Sequence, residues 1–311
     1  AGVLPGPALA VLALTPLAVA EVVAGLPDAA VRLLTARPAG RRLAELEARR
    51  AAVADPTEPA GVAPPTELTA RDLTVRWPDT GRDAATHVDL ELRGRPIALT
   101  GPSGSGKSTV VATLLRMLEP GAGQLLADGR DVHDLTADEL RRGIAWCGPH
   151  AHLFDSTLRE NLRVTAPHAS DDELTAVLRR VRLGDWLAAL PDGLDTFVGE
   201  HGGAVSGGER QRIGVARALL ATRPIMLFDE PTAHLDVATA TALGAEILAA
   251  TAGRTALIVT HRPEQTPGLP QVRLATPSPG PPADREGTYA PAVGPVPGGT
   301  LTRPGPSRRA P

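Results

Sequence analysis

The chain has 311 residues, of which 42% are apolar and 22% charged, and this composition excludes a wholly disordered protein. Its formal net charge of −3 gives no electrostatic argument for a protein that binds nucleic acid. Cys147 is the only cysteine, which excludes a disulfide framework and a cysteine-based zinc site.

The N-terminal region begins with an uncharged apolar stretch, residues 1–20. It has the length and apolarity of a membrane span or the remnant of one, and an alanine-rich buried or interfacial helix is an equal alternative. Residues 28–54 are predicted to form a charged helix that leaves this stretch, and its basic cluster suits the cytoplasmic side of a membrane. Residues 55–66 are proline-rich, which predicts a linker.

Residues 67–260 are predicted to form the folded body, because apolar strands alternate there with helical patterns. The predicted strands are 68–77, 87–92, 96–100, 224–229 and 254–259, and the predicted helices are 107–118, 171–181, 206–221 and 236–251. This alternation indicates an α/β architecture with a mainly parallel core sheet. Residues 276–311 are rich in proline and glycine, which predicts a disordered tail.

Residues 101–108 read GPSGSGKS and match the phosphate-binding pattern GxxxxGK[ST] between a short apolar strand and a helix. The glycines let backbone N–H groups converge on phosphates, and the helix N-terminus adds a favourable dipole. Lys107 is the only lysine of the chain and is predicted to reach the β- and γ-phosphates, while Ser108 binds Mg²⁺. The predicted nucleotide contacts of this loop are Gly101, Ser103, Gly104, Ser105, Gly106, Lys107, Ser108 and Thr109.

A second motif, PIMLFD at 224–229, is an apolar strand that ends in Asp229 and is followed by Glu230. Asp229 is predicted to hold Mg²⁺ directly or through water, and Glu230 to orient and deprotonate a water molecule. The alternative is an exposed carboxylate pair, which the preceding apolar run disfavours because such a run belongs in a core sheet. Together with the phosphate loop, this pair predicts a nucleotide-hydrolysing site.

Residues 205–212 read VSGGERQR, which resembles the LSGGQ signature of ATP-binding cassette (ABC) ATPases, with valine at 205 and glutamate at 209. The resemblance implies a P-loop NTPase fold with a parallel core sheet, an antiparallel β subdomain and a helical subdomain. It further implies ATP and Mg²⁺ as cofactors. In the family this loop closes over the γ-phosphate of an ATP held by a partner subunit, which assigns Ser206, Gly207, Gly208 and Glu209 to nucleotide binding.

Other positions of the family pattern can be placed on this chain. Trp77 stands where the family has the aromatic residue that stacks on adenine, and packing of an edge-strand aromatic on the core is the alternative. Residues 233–236 (AHLD) resemble the D-loop, which touches the other subunit. His261 follows an apolar strand and matches the switch histidine that contacts the γ-phosphate, which makes it a second candidate catalytic residue beside Glu230.

One position departs from the family pattern. Residues 146–154 (WCGPHAHLF) resemble the Q-loop region, and the family's glutamine falls on Pro149. Proline has no side-chain oxygen for Mg²⁺ or the attacking water, although His150 is adjacent. The alternative to a working ATPase is therefore a catalytically degenerate half that binds ATP and relies on a partner for hydrolysis.

Residues 152–162 and 190–200 resemble exporter-type cassettes, in which the ATPase follows a six-helix membrane domain. This implies a second half-transporter as partner in a homo- or heterodimer, and a place on the cytoplasmic face of the inner membrane. No nucleic-acid partner is expected, because the near-neutral charge and the apolar N-terminus disfavour a soluble ABC protein that acts on nucleic acid.

The exporter resemblance also divides the chain. Residues 1–54 become the end of the last transmembrane helix with its cytoplasmic extension, 55–66 the linker, 67–275 the nucleotide-binding domain and 276–311 the tail. SGGERQR together with EPTAHLD resembles the CydC-type subunit of thiol-reductant exporters, which implies outward transport of cysteine or glutathione for cytochrome bd assembly. Lipid, peptide or drug export is the alternative.

Overall fold

The structure is a computed structural model that describes residues 5–48, 51–77, 82–199, 205–233 and 235–275. The predicted tail, 276–311, lies outside the described residues, and so does His234 in the segment that resembles a D-loop.

The helices are α1 Gly6–Ala24, α2 Leu26–Glu47, α3 Lys107–Leu114, α4 Ala137–Arg141, α5 Leu158–Arg163, α6 Asp171–Arg180, α7 Gly184–Ala189, α8 Gly207–Leu220 and α9 Val237–Thr251. The strands are β1 Leu68–Arg76, β2 Asp83–Leu92, β3 Pro96–Thr100, β4 Pro120–Ala127, β5 Arg130–Asp131, β6 Ile144–Cys147, β7 Ser156–Thr157, β8 Phe197–Val198, β9 Ile225–Asp229, β10 Thr255–Thr260 and β11 Gln271–Arg273.

The helices α1 and α2 follow each other with only Gly25 between them. Over Gly6–Glu47 they contain an 18-residue window of mean hydropathy 2.1, of which 0% is buried, so by length and composition this stretch could cross a membrane. α2 ends at Glu47, earlier than the predicted end at residue 54. Ala54 and Asp55 instead form hydrogen bonds with the folded body, which an extended chain allows and a continuing helix would not.

Two large sheets and a small antiparallel pair of β7 and β8 build the folded body within the described residues. β1, β2, β4 and β5 form an antiparallel sheet in the order β2-β1-β4-β5. β11, β3, β10, β9 and β6 form a parallel sheet in that order. These sheets, together with the helices α5 to α8, confirm the predicted α/β architecture with a parallel core sheet, an antiparallel subdomain and a helical subdomain.

The parallel sheet is buried on both faces, and alternate side chains of its strands serve two different cores. Leu227 faces the first core, which also contains Val110 of α3 and the inner face of the antiparallel sheet. Phe228 faces the second core, which contains Ile213 of α8 and much of the helical subdomain. The helix after the phosphate loop and the helix after the signature motif therefore lie on opposite faces of one sheet.

The first of these helices, α3, is shorter than the predicted range 107–118. Arg116 has φ +50°, and its left-handed conformation ends the helix. The N–H of Met117 bonds to the carbonyl of Ala112 (2.8 Å) and that of Arg116 to the carbonyl of Thr113 (2.9 Å), which is a Schellman cap. Sequence periodicity did not reveal this end, because glycine is the usual residue at the left-handed position and here it is arginine.

Candidate functional site

The phosphate loop joins β3 to α3 at the carboxyl edge of the parallel sheet. Its last residue, Gly106, has φ +86°, and a Cβ there would lie 2.3 Å from the carbonyl oxygen of Ala84. Only glycine fits this position, so the backbone can turn into α3 with its first N–H groups facing outward. Ser103 and Gly104 lie exposed at the tip of the loop, whereas Ser105 is buried.

The ammonium group of Lys107 is folded back over this loop. The residue is 6% exposed, and Nζ donates hydrogen bonds to the carbonyl oxygens of Gly101 (3.0 Å) and Pro102 (2.9 Å). A lysine has three N–H donors, so these two bonds leave one for another acceptor. The hydroxyl of Ser105 is buried beside it and has no hydrogen-bond partner among the described residues. The loop therefore presents a cation, an N–H donor and a hydroxyl to an acceptor such as a phosphate.

Trp77 lies beside the same helix. Its Nε1–H donates to Oγ1 of Thr109 (3.2 Å), and 51% of the residue is exposed. The indole is thus fixed at one end to the phosphate-loop helix and remains accessible to a planar ring.

Asp229 ends β9 close to the start of α3, in a position suited to a metal ion. The residue is 2% exposed, it forms a side-chain hydrogen bond with Ser108, and its Oδ1 lacks a partner in the described part of the chain. Burial raises the pKa of Asp229, and the charge of Glu230 raises it further, while Ser108 and Lys107 act in the opposite direction.

Hydroxyl and carboxylate oxygens are the donors that Mg²⁺ prefers, so Ser108 and Asp229 fit this ion. The described residues contain no group of three or more His, Cys, Asp or Glu side chains that could hold a metal. Mg²⁺ commonly binds through one or two protein oxygens with phosphate oxygens and water completing the shell, and this pair has that character.

Glu230 and His261, the two predicted catalytic residues, lie together at the ends of neighbouring strands. Nδ1 of His261 is 3.3 Å from Oε1 of Glu230, and both side chains are partly exposed. Glu230 has φ +50°, an uncommon conformation for a residue with a side chain. Such positions occur at functional sites, where the surrounding structure holds them in place.

The signature residues begin α8. The hydroxyl of Ser206 accepts from the N–H of Glu209 (3.3 Å), and the carboxylate of Glu209 accepts from the N–H of Ser206 (2.7 Å). This reciprocal pair is a capping box, and the S-x-x-E pattern in the sequence is its known signal. Gly207 and Gly208 form the first turn of the helix. The structure therefore places these four residues together at the start of α8. This helix packs on the second core, whereas α3, the helix after the phosphate loop, packs on the first.

The helix α8 also holds the segment around Pro149, through residues that sequence analysis missed. Gln211 is 2% exposed, and its Nε2 donates to the carbonyl of Gly148 (3.2 Å). A Cβ on Gly214 would lie 2.6 Å from Cβ of Ala151, so the loop packs directly on the helix. One signal for this face was the three-residue spacing along α8, which places 211, 214 and 217 on the same side of the helix.

The next turn of the same face is Arg217. Its guanidinium donates to the carbonyl of His152 and to both oxygens of Asn161. Burial lowers the pKa of Arg217, while burial raises the pKa of the Cys147 thiol beneath the loop to about 12. Cys147 is therefore a protonated packing residue and not a nucleophile.

The comparisons with known proteins agree with this arrangement. A sequence model of the ABC transporter family matches residues 86–233. The mycobactin import ATP-binding/permease protein IrtB of Mycolicibacterium thermoresistibile is 44% identical over 176 residues, which cover 56% of this chain and 30% of that protein. The ATP-dependent lipid A-core flippase of Ralstonia nicotianae is 38% identical over 200 residues, which cover 63% of this chain and 34% of that protein.

The same similarity extends to solved structures. The structure of a bacterial Atm1-family ABC exporter with ATP bound matches with a TM-score of 0.66 and 33% sequence identity, over 71% of this chain and 40% of that chain. The chain spans about a third of the length of the two relatives, 30% and 34%.

Proposed function

We propose that the chain contains an ABC transporter ATPase domain of the exporter type, and that it binds MgATP and hydrolyses it to drive transport; the family match and the similarity to exporters support this. The observation that carries the proposal is the convergence of the motifs on three neighbouring strands. The phosphate loop follows β3, Asp229 ends β9, and His261 follows β10, which lies between them. Ligands of open parallel sheets bind at this carboxyl edge.

Nucleotide binding would use groups that the described residues leave available. The phosphates would accept hydrogen bonds from the loop N–H groups, the free donor of Lys107 and the hydroxyl of Ser105. The indole of Trp77 would stack on the adenine ring, because the ring face is accessible beside α3. Ser108 and Asp229 would hold Mg²⁺, which, when bound, offsets the negative charge of the phosphate oxygens.

Hydrolysis would depend on Glu230 and His261. The carboxylate of Glu230 is the base that would accept a proton from the attacking water. His261 holds that carboxylate in place at 3.3 Å and can turn a ring N–H toward a phosphate oxygen. General-base catalysis of this kind typically contributes about 100- to 10,000-fold to a rate.

A second subunit would complete the site, in a homo- or heterodimer. The signature turn at Ser206 is a helix N-terminus, which favours anions. It begins α8, which lies on the opposite face of the parallel sheet from α3, so the sheet separates the helix of this turn from the helix of the chain's own phosphate loop. We propose that it closes over an ATP that the partner subunit holds.

The membrane attachment is proposed from α1. Residues 1–54 would form the end of a transmembrane helix and its cytoplasmic extension, followed by the linker 55–66, the nucleotide-binding domain 67–275 and the tail 276–311. The apolar window within Gly6–Glu47 supports this division. The ATPase domain would then lie on the cytoplasmic face of the inner membrane, because ATP is supplied there.

A second candidate function is a degenerate half that binds ATP and hydrolyses it poorly. Pro149 supports it, since proline offers no side-chain oxygen to Mg²⁺ or water. The packing of α8 on this loop through Gln211 and Gly214 supports it further, because the loop is held by contacts that do not involve a nucleotide.

A finer proposal concerns the substrate. The SGGERQR and EPTAHLD segments resemble CydC-type subunits, which favours export of cysteine or glutathione for cytochrome bd assembly. The names of the two relatives refer to mycobactin import and to a lipid A-core flippase instead. ATP-dependent accumulation of labelled cysteine or glutathione in inside-out vesicles would support thiol export. Accumulation of a lipid alone would contradict it.

ATP turnover of the full chain separates the two candidate functions. We expect the wild type to hydrolyse ATP about 1000-fold faster than Glu230→Gln, and Pro149→Gln to change the rate little. A wild type that binds ATP but turns over no faster than Glu230→Gln, together with a gain of activity in Pro149→Gln, would establish the degenerate half. Absence of saturable ATP binding would contradict both.

A further inference from the structure

The segment that leads from α2 into the first strand, residues 51–66, is bound to the folded body along its length; we call it the docked segment. The N–H of Ala54 donates to Glu119 (3.2 Å), and the N–H of Gly61 donates to Glu139 (2.6 Å). Near its end, the N–H of Thr66 donates to Asp128 (3.1 Å). Three carboxylates from different parts of the body therefore bind this segment.

The contact at Glu139 is well formed. Its carboxylate accepts N–H groups of Thr136, Gly61 and Ala60, and these bonds, that of Thr136 foremost, lower its pKa to about 2. The carboxylate therefore remains ionised at any physiological pH, and the docked segment stays bonded to it.

One anchor of the docked segment stands apart because its charge is fully buried. Arg116 is 0% exposed, its Nη2 donates to the carbonyl of Ala54 (2.7 Å), and Nη1 is 3.5 Å from Asp55. Its Nε and Nη1 form no hydrogen bond within the ranges that the structure describes. The backbone of Ala54 is thus held at its N–H by Glu119 and at its carbonyl by Arg116. Departure of the docked segment would remove the carbonyl of Ala54 that accepts from this guanidinium.

The backbone of Arg116 has a second unusual property. It occupies the left-handed position of the Schellman cap that ends α3, with φ +50°, where glycine is the usual residue. An arginine there adopts an uncommon backbone conformation that glycine would adopt freely. Compared with glycine, arginine adds only its side chain at this position, and that side chain contacts Ala54 of the docked segment.

The other end of the same helix begins at the phosphate loop. α3 has eight residues, Lys107–Leu114, which corresponds to about 12 Å at the usual rise per residue. Lys107 belongs to the nucleotide site, and Arg116 follows the last turn. A helix this short moves as one piece, so ordering of one end restricts the other.

We propose that Arg116 is a positioning residue that couples nucleotide occupancy of the phosphate loop to docking of residues 51–66. The coupling is positive: a nucleotide orders the loop and α3, and the docked segment then binds to a structure that is already ordered. The proposal rests on ATP binding at the phosphate loop. It adds a connection between that site and the segment that leads to the predicted membrane helix, through the chain's own α3.

Amide hydrogen exchange of the full chain tests this coupling, in a Glu230→Gln background that keeps ATP intact. We expect saturating MgATP to slow exchange at Ala54, Ala60 and Gly61 by about fivefold, the lower range of measured couplings between sites. By reciprocity, loss of the anchor should weaken ATP binding by the same factor. A wild-type segment whose exchange is indifferent to bound MgATP would overturn the proposal.

Arg116→Gly is the decisive variant, because glycine suits the left-handed cap and removes only the side chain. In this variant we expect faster exchange at Ala54 and no response to MgATP. Asp128→Gly is the matched control, since Asp128 also has a positive φ, +48°, and also binds the docked segment, but on the turn between β4 and β5. It should free Thr66 and leave the MgATP response of Ala54 to Gly61 intact.

Two further results separate failure of this proposal from failure of the proposed function. If MgATP binds and the Arg116→Gly variant responds like the wild type, the coupling is wrong and the ATPase assignment stands. If no saturable MgATP binding is measured, both fall. Glu119→Gln provides a milder second variant, because Glu119 binds the N–H of Ala54. If MgATP slowed amide exchange of the docked segment in both Glu119→Gln and Arg116→Gly as much as in the wild type, the proposed role of Arg116 and Glu119 would be wrong.

Discussion

The two helices that start at candidate phosphate-binding turns, α3 and α8, begin in opposite ways. α3 starts after Gly106, which is left-handed, and no side chain of the described residues caps it. α8 starts after Ser206, and the carboxylate of Glu209 already occupies its N-terminus in a complete capping box. An uncapped helix start keeps all its first N–H groups for a ligand, whereas the capping box at α8 occupies the N–H groups of Ser206 and Glu209 and leaves those of Gly207 and Gly208.

The comparison implies a division of roles between the two turns. In the proposed function, the turn at α3 is the nucleotide site that the chain uses by itself, and the buried oxygens of Ser105 and Asp229 that lack partners among the described residues lie at this site. The turn at α8 is proposed to contribute when another molecule brings a phosphate to it.

Replacement of Lys107 should have the largest effect. Lys107→Ala removes a charge-assisted hydrogen bond to phosphate, about 3 kcal/mol, and should weaken ATP binding about 100-fold. Lys107→Arg should recover little of it, because the planar guanidinium cannot occupy the space of a compact ammonium that bonds to Gly101 and Pro102. Equilibrium ATP binding measures the effect of both variants. Unchanged ATP affinity in Lys107→Ala would contradict the proposal that the turn at α3, and not the turn at α8, binds ATP in the isolated chain.

Replacement of Asp229 should separate stability from metal binding. Burial raises the pKa of Asp229, so its native state holds a proton more tightly than the unfolded chain, and stability falls as pH rises through the raised pKa. Asp229→Asn should increase the free energy of unfolding at neutral pH, because it removes a buried carboxylate whose Oδ1 has no partner among the described residues. The variant should also lose most of the Mg²⁺ dependence of ATP binding. Denaturant unfolding and ATP titrations with and without Mg²⁺ measure the two effects, and a destabilised variant that keeps its metal dependence would refute the assignment.

Replacement of Gln211 should affect the α8 side alone. Gln211→Leu leaves the carbonyl of Gly148 without its donor and should lower the free energy of unfolding by about 1 to 2 kcal/mol. ATP affinity of the isolated chain should not change, because the residue lies on the second core. Arg210→Gln, at the exposed neighbouring position, is the control and should stay within about 0.5 kcal/mol of the wild type.

The capping box should give the smallest effect. Ser206→Ala removes the hydroxyl that accepts from Glu209 and should destabilise the chain by about 1 kcal/mol. Glu209→Gln keeps the hydrogen-bonding pattern of a capping box, so its effect on unfolding should be smaller still. If Ser206→Ala weakened ATP binding by the isolated chain as strongly as Lys107→Ala does, the two turns would not differ in the proposed way.

Much of the fold followed from local sequence patterns. The apolar runs that became β9 and β10, and the loop at Gly101 with its lysine, are continuous segments whose periodicity or motif is visible without a structure. The spacing S-x-x-E at Ser206 is a local signal of the same kind, because it is typical of a capping box. These features depend on residues within one turn or one strand.

The features that sequence analysis did not reveal depend on residues far apart in the chain. Arg116 and Ala54 are separated by 62 positions, and Gln211 and Gly148 by 63, so no local pattern pairs them. The early end of α3 required a left-handed arginine, which propensity argues against. Glu230 and His261 were predicted separately, and only the strand order placed their side chains 3.3 Å apart.

The most direct test of the difference between the two turns is amide hydrogen exchange at both helix starts in the isolated subunit, with and without saturating MgATP. We predict protection of the N–H groups of residues 105–109, at the start of α3, and no change at residues 207–209, at the start of α8. Lys107→Ala should abolish the protection. Equal protection of 207–209 in a monomeric sample would contradict the account, because the signature turn would then bind the chain's own nucleotide.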